Sequence, residues 1–286
     1  MRRLGVHTSI AGGLHLSLKR ARELGCTTMQ MFLHNPRGWR IRRIGDEEIE
    51  AFRRLAGEYD IRPIFIHSSY LINLASPSTD IRRRSIGLLS YEIRMASLLG
   101  VEYIVLHPGK AAGQGLGVAI RRASDALRMA CESAGADDVG LLLENTAGQK
   151  GDISSSIRLI HDIIKNIPEG LVSGICLDSC HAFQAGYDIT TDEGIERLKA
   201  EIRDYLSPLD VRLIHLNDSK MAYNLGVDRH QHIGRGAIGF RGLKRFLSSF
   251  RDIPLILETP VEHKGDDRRN LQRVRRILKE VYDGST

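Results

Sequence analysis

Six short apolar runs in this chain each stop at a residue that can bind a metal ion. They are PIFIH ending at His67, YIVLH at His107, GLLLE at Glu144, GICLD at Asp178, RLIHLND around His215 and PLILE at Glu258. Successive members of the series lie 34 to 43 residues apart. Two earlier runs, RLGVHTS and TTMQMFL, raise the number of expected strands to eight. Amphipathic stretches fill the intervals, among them LHLSLKRARELG closing at Gly25, DEEIEAFRRLAGEYD with an acidic first turn, and a long helix closing at Gly100. Helix five is expected over DISSSIRLIHDIIKN, capped by Asp152 or Ser154.

Crossovers of this length join parallel strands, not hairpins. An open doubly wound sheet usually gathers function at one switch point. A closed barrel instead brings every strand end to a common mouth. The expected fold is therefore α/β, a (β/α)8 TIM barrel, with the active site at the C-terminal ends of the strands. Residues 1–286 are expected to form a single domain, since no low-complexity or linker segment interrupts them.

Composition narrows the classes. Apolar residues make up 42% of the 286 and charged residues 27%, enough for a large core and a soluble surface. No run approaches eighteen apolar residues, so no membrane span is expected. The opening MRRLGVHTSIAGG reads as a first strand, not as a signal peptide. The net charge of +6 permits a polyanionic partner without demanding one. Cys26, Cys131, Cys176 and Cys180 are too few and scattered for a disulfide scaffold, and read as reduced thiols of a cytoplasmic protein.

Two loop clusters join the six strand-end residues. His181 lies three residues past Asp178 in LDSCH, and Asp228 and His230 flank Arg229 in VDRH. Alternate residues of an extended segment point the same way, so Asp228 and His230 can hold one ion. The nine candidates are five imidazoles and four carboxylates, a set suited to zinc, manganese or iron. Nine exceed what one ion needs, so two or three ions are expected, with Glu144 as a bridge. His7 reads either as a substrate contact or as a packed rim residue. His34 carries no assignment, His232 is a weaker ligand candidate, and His15 and His161 read as surface or packing residues.

Metals at a barrel mouth serve two chemistries. Sugar isomerases and epimerases polarise hydroxyl and carbonyl oxygens, whereas phosphoesterases activate water and stabilise a leaving oxygen. The ligand count favours the second, and so do the loops. HNPRGWRIRR mixes Trp39 with Arg37, Arg40, Arg42 and Arg43, which suits phosphate contact with stacking. SSYLINL offers Tyr70 and Leu71 as wedges, Gly-rich loops follow His107 and Glu144, and NDSK offers Asn217, Ser219 and Lys220.

HTSIAGG, HSSYLINLASP, LHPG, ENTAGQ, CLDSCHAFQAGYD, HLNDSK, VDRHQHIGRG and LETP are spread over nearly the whole chain. Together they make it resemble the endonuclease IV family of apurinic/apyrimidinic endonucleases. The resemblance implies three Zn2+ ions. His67 and His107 would hold the first, with Glu144 bridging to the second, which Asp178, His215 and Glu258 complete. His181, Asp228 and His230 would hold the third. Glu144, Asp178 and Glu258 would be the catalytic carboxylates.

It further implies a monomer acting on duplex DNA with an abasic site. A metal-activated hydroxide would attack the phosphorus 5′ to the lesion, leaving 3′-hydroxyl and 5′-deoxyribose phosphate ends, and 3′-blocking groups would also be removed. Arg37, Tyr70 and Leu71 match the residues that enter the DNA in that family. One departure is visible: Lys150 stands where the family usually continues ENTAGQ with glycine, which puts the conformation of that loop in question.

Overall fold

A computed structural model describes residues 2–283. Each apolar run forms a short strand, because β-branched and large aliphatic residues buried on both faces suit a parallel sheet. The order is β1 (Leu4–Val6), α1 (Leu14–Glu23), β2 (Met29–Met31), α2 (Asp46–Tyr59), β3 (Ile64–His67), α3 (Thr79–Leu99), β4 (Tyr103–Leu106), α4 (Leu116–Ala134), β5 (Gly140–Glu144) and α5 (Ile157–Ile164). There follow β6 (Gly174–Asp178), α6 (Ser179–Gln184), α7 (Asp192–Leu206), β7 (Val211–His215), β8 (Asp218–Ser219), β9 (His230–Gln231), α8 (Gly239–Ser249), β10 (Leu255–Leu257) and α9 (Asp266–Asp283).

Eight strands pair in parallel in the order β1-β10-β7-β6-β5-β4-β3-β2. The sheet closes on itself where β1 meets β2. A parallel bridge joins His7 to Gln30, and Thr8 N donates to Gln30 O at 2.7 Å. Gly5 makes this seam possible, because a Cβ there would lie 1.9 Å from the Thr28 carbonyl oxygen. The expected (β/α)8 TIM barrel is the fold observed.

The core has two parts. Helices wrap the outside, and a large apolar layer fills the space between them and the strands. Inside the barrel, Phe65, Val105, Leu142, Cys176, Leu213 and Ile256 form a separate buried cluster, one residue from each of β3, β4, β5, β6, β7 and β10. Side chains of a strand alternate in direction, so the residue two places on also faces inward. Those residues are His67, His107, Glu144, Asp178, His215 and Glu258. The strand-end series is thus the next inward layer above an apolar plug.

Some local readings change. Helix α5 is shorter than its pattern, and its N-cap is Ser156, whose side chain accepts from Leu159 N, instead of Asp152 or Ser154. Asp152 instead accepts from Gln149 N at 2.8 Å, within the loop after β5. The antiparallel pair β8–β9, with Ser219 opposite His230, has no counterpart in the sequence pattern.

Candidate metal centre

Eight inward residues, one per barrel strand, ring the mouth: His7, Gln30, His67, His107, Glu144, Asp178, His215 and Glu258. Glu144 is central and fully buried. Its Oε2 lies 2.9 Å from His107 Nε2 and 3.3 Å from His67 Nε2, and its Oε1 lies 3.0 Å from His215 Nδ1. His215 Nδ1 is also 3.3 Å from Glu258 Oε2. Ligand atoms of Glu144, Asp178, His215 and Glu258 fall within 4.8 Å of one another, and so do those of His67, His107 and Glu144. Glu144 belongs to both groups, which is the placement a bridging carboxylate needs.

The loop residues build a third group beside the ring. Asp178 Oδ1 caps α6 by accepting from His181 N at 2.7 Å, which fixes His181 at the start of that helix. Strand β9 delivers His230 from the other side. Asp228 Oδ1 lies 3.3 Å from His181 Nε2 and 3.4 Å from His230 Nε2. Asp178, His181 and His230 again place ligand atoms within 4.8 Å. All nine sequence-predicted ligands therefore converge, eight of them in the three compact groups and Asp228 through its contacts with two histidines.

These groups leave a demand for positive charge. Burial pushes Glu144 up, but the nearby His107 and His215 outweigh it and hold the carboxyl well below its usual range. Burial likewise opposes ionisation of Glu258 and Asp228, and His215 and His181 respectively draw them down. Burial disfavours charged His181 and His215, yet Asp178 raises the former, and the Glu258 and Glu144 carboxylates the latter, well above the ordinary range. Glu144 Oε2 and His230 Nε2 are buried and make no hydrogen bond. Their near neighbours are other candidate ligands, His107 and His67 for the former and Asp228 for the latter, so a cation seated among them would complete both. The nitrogen and oxygen donors suit zinc, so the residues fit the expected metal.

Cys176 also falls within reach of Glu144 and His215. It belongs to the apolar plug, and burial pushes its thiol up to about 12, which keeps it protonated and unlike a thiolate ligand. The polar residues that sequence reading missed, or gave another role, lie just outside the ligands. Gln30 bonds His215 and Glu258. Asn145 Oδ1 accepts from Asp178 N at 2.7 Å. Asn217 donates from Nδ2 to Asp178 Oδ2 at 2.7 Å and accepts from Glu258 N at 2.9 Å. Asn217 and Ser219 are fully buried, so they support the site and are not the surface phosphate contacts the NDSK motif suggested.

The chain matches a family model described as "Xylose isomerase-like TIM barrel" over residues 18–281. It is 41% identical over 276 residues to a protein of Methanoculleus marisnigri named "Probable endonuclease 4", covering 96% of this chain and 98% of that one. The chain belongs to the endonuclease IV family. The solved endonuclease IV of Thermus thermophilus superposes with a TM-score of 0.86 at 35% identity, covering 97% of this chain and 99% of that one. A D-tagatose 3-epimerase-like protein shares the fold, with a TM-score of 0.76 at 20% identity, covering 99% of this chain and 100% of that one.

The three residues that the endonuclease IV resemblance sends into DNA lie on loops at the mouth. Arg37 and Tyr70 are exposed, Tyr70 at 61%, and Leu71 is half-buried. Tyr70 lines a cavity of about 300 Å³ together with His107, Lys110, His181, Asp228 and Glu258. Trp39, by contrast, packs partly against the core beneath the Arg84 guanidinium and is not a free stacking platform. In the loop that carries Lys150, Gly148 and Gly151 take the left-handed conformations, at φ 84° and 87°. Lys150 is exposed and is not among the residues with positive φ. His34 pairs with Glu92, and His232 bonds Asn270 instead of joining the ligands.

Proposed function

We propose that this chain is a DNA-repair phosphodiesterase of the endonuclease IV type. It hydrolyses the phosphodiester bond 5′ to an abasic site in duplex DNA, leaves 3′-hydroxyl and 5′-deoxyribose phosphate ends, and removes 3′-blocking groups. The observation that carries this reading is the third group. His67, His107, Glu144, Asp178, His215 and Glu258 would suffice for a sugar isomerase or epimerase, but His181, Asp228 and His230 add a further site against the same pocket.

His67, His107 and Glu144 would hold one zinc ion, Glu144, Asp178, His215 and Glu258 a second, and His181, Asp228 and His230 a third. Such ions supply Lewis acidity, making water a nucleophile near neutral pH and offsetting charge that builds on phosphate oxygens. The protein's part is positioning. Asn145 and Asn217 fix Asp178 and Glu258, and apolar residues from six strands lie below the ligands. Glu144, Asp178 and Glu258 are the catalytic carboxylates in this reading.

Arg37, Tyr70 and Leu71 enter the duplex and stabilise an extruded abasic nucleotide, which costs least where the base is already missing. Residues 1–286 act as one domain and as a monomer, since duplex DNA must lie across the open mouth. No helix among the described residues is long and apolar enough to cross a membrane. Four unpaired cysteines support a cytoplasmic setting. The test is metal analysis alongside assay on a defined abasic duplex. Three zinc ions per chain and 5′ incision without added magnesium are expected, and a metal-loaded protein that leaves the duplex intact would sink the reading.

A further inference from the structure

Gln30 is the uncharged member of the mouth ring. It is fully buried in the middle of β2. Its amide nitrogen lies 2.6 Å from Glu258 Oε1 and 3.0 Å from His7 Nδ1, and its Oε1 lies 2.8 Å from His215 Nε2. These contacts fix both partners by elimination. A carboxylate ligand accepts only, so the Gln30 atom facing Glu258 must be the NH2 group. The Gln30 oxygen then faces His215 and must accept. His215 therefore carries a proton on Nε2, and Nδ1, turned towards Glu144 Oε1 and Glu258 Oε2, is the nitrogen left for an ion to take in place of a proton. A ligating histidine needs its other nitrogen held in this way.

We infer that Gln30 is a positioning residue of the second metal group: its amide locks His215 in the tautomer whose Nδ1 faces the ion, and holds Glu258 beside it. One side chain thus sets two ligands of the same ion from a strand that supplies no ligand itself. The inference rests on the metal reading above. Gln30 has no exposed surface, so it acts on the ion through His215 and Glu258 and does not touch DNA.

The test uses the full-length, zinc-loaded protein with Gln30→Met, which keeps the side-chain volume and removes the amide. Gln30→Ala serves as a second variant should the first fail to fold. Zinc is withdrawn with a chelator of known affinity, and cadmium-loaded protein is followed by cadmium NMR. The variants are expected to release one zinc at an affinity about 10–100-fold lower than wild type. A single cadmium resonance should move, and kcat for abasic-duplex incision should fall with little change in KM. A residue that only stabilised the fold would lower the melting temperature and leave zinc affinity and the cadmium spectrum alone. That outcome, in a wild-type background that binds metal, overturns this inference and spares the metal reading. A wild-type chain that binds no zinc overturns both.

Discussion

The Glu92 carboxylate, buried in the middle of α3, lies 2.9 Å from Nε2 of His34. The same Oε1 accepts from Ser69 N at 3.2 Å, and Ser69 Oγ donates to the Pro36 carbonyl at 2.9 Å. One acid inside the helix layer therefore ties the loop carrying Arg37 to the loop carrying Tyr70.

His34→Ala would leave that acid buried without its partner. Breaking a buried pair from one side typically costs about 3–5 kcal/mol. We expect a loss of that order in chemical denaturation. Affinity for an abasic duplex should also fall about tenfold, or about 1.4 kcal/mol, as the two loops lose their common tether. Zinc content should be unchanged. Unaltered DNA affinity in the folded variant would refute the tether.

The pair should also give stability a pH dependence. Burial disfavours the His34 imidazolium, but Glu92 outweighs it and raises the histidine above its ordinary value. Its contribution is then full below the unfolded value of about 6.5 and is lost as pH rises through the raised native value. Burial pushes Glu92 up as well, which acts in the same sense, because the native chain again holds its proton longer. Melting temperatures of wild type and His34→Gln should converge as pH rises from about 6.5 through the raised native value. A gap of constant size across that range would contradict the assignment.

Glu144→Gln removes charge from the centre of the ligand set. Ligand loss should exceed the roughly 10–100-fold effect of changes one shell further out. Incision is expected to fall by more than about 100-fold while the variant still binds abasic DNA, since Glu144 has no exposed surface. Gel-shift and cleavage assays on one duplex separate the two effects. Incision close to wild type would remove Glu144 from its bridging role.

Chelation should destabilise the chain as well as inactivate it. An ion that binds only the native state adds about 2.7 kcal/mol when present at 100 times its dissociation constant. The melting temperature should drop after exhaustive chelation and recover with zinc. An identical melting curve before and after chelation would argue against ions held by this cluster.

Tyr70→Ala should separate binding from folding. The ring is largely exposed and meets Phe32 and His67 edge-on at 5.1 and 5.9 Å. Exposed substitutions usually stay within about 0.5 kcal/mol of wild-type stability. Loss of an aromatic contact to a nucleic-acid base costs about 1–3 kcal/mol of affinity. A variant that binds abasic duplex as well as wild type would take Tyr70 out of the DNA interface.

The barrel and the six strand-end candidates were legible because they repeat. A histidine or carboxylate at the end of each apolar run is a pattern, and two-residue alternation fixes which way it points. Gln30 was not legible, because an amide inside TTMQMFL looks like any polar residue of a half-buried strand. Glu92 was hidden for a related reason. It lies on a helix with several arginines, where a charge ordinarily faces solvent, and only packing shows that it points inward. Asn217 was assigned to phosphate because its motif follows a strand. The backbone turns there into β8, a two-residue strand too short to leave a periodic trace.

The plug of Phe65, Val105, Leu142, Cys176, Leu213 and Ile256 has a kinetic consequence. On six of the eight strands this floor is apolar, so the mouth is the more open route for an ion to exchange with solvent, and a bound duplex would lie across it. A duplex seated there would act as a stopper. Chelators should then disarm free enzyme far faster than enzyme already engaged on an abasic site, and the lesion itself would protect the metals needed to repair it.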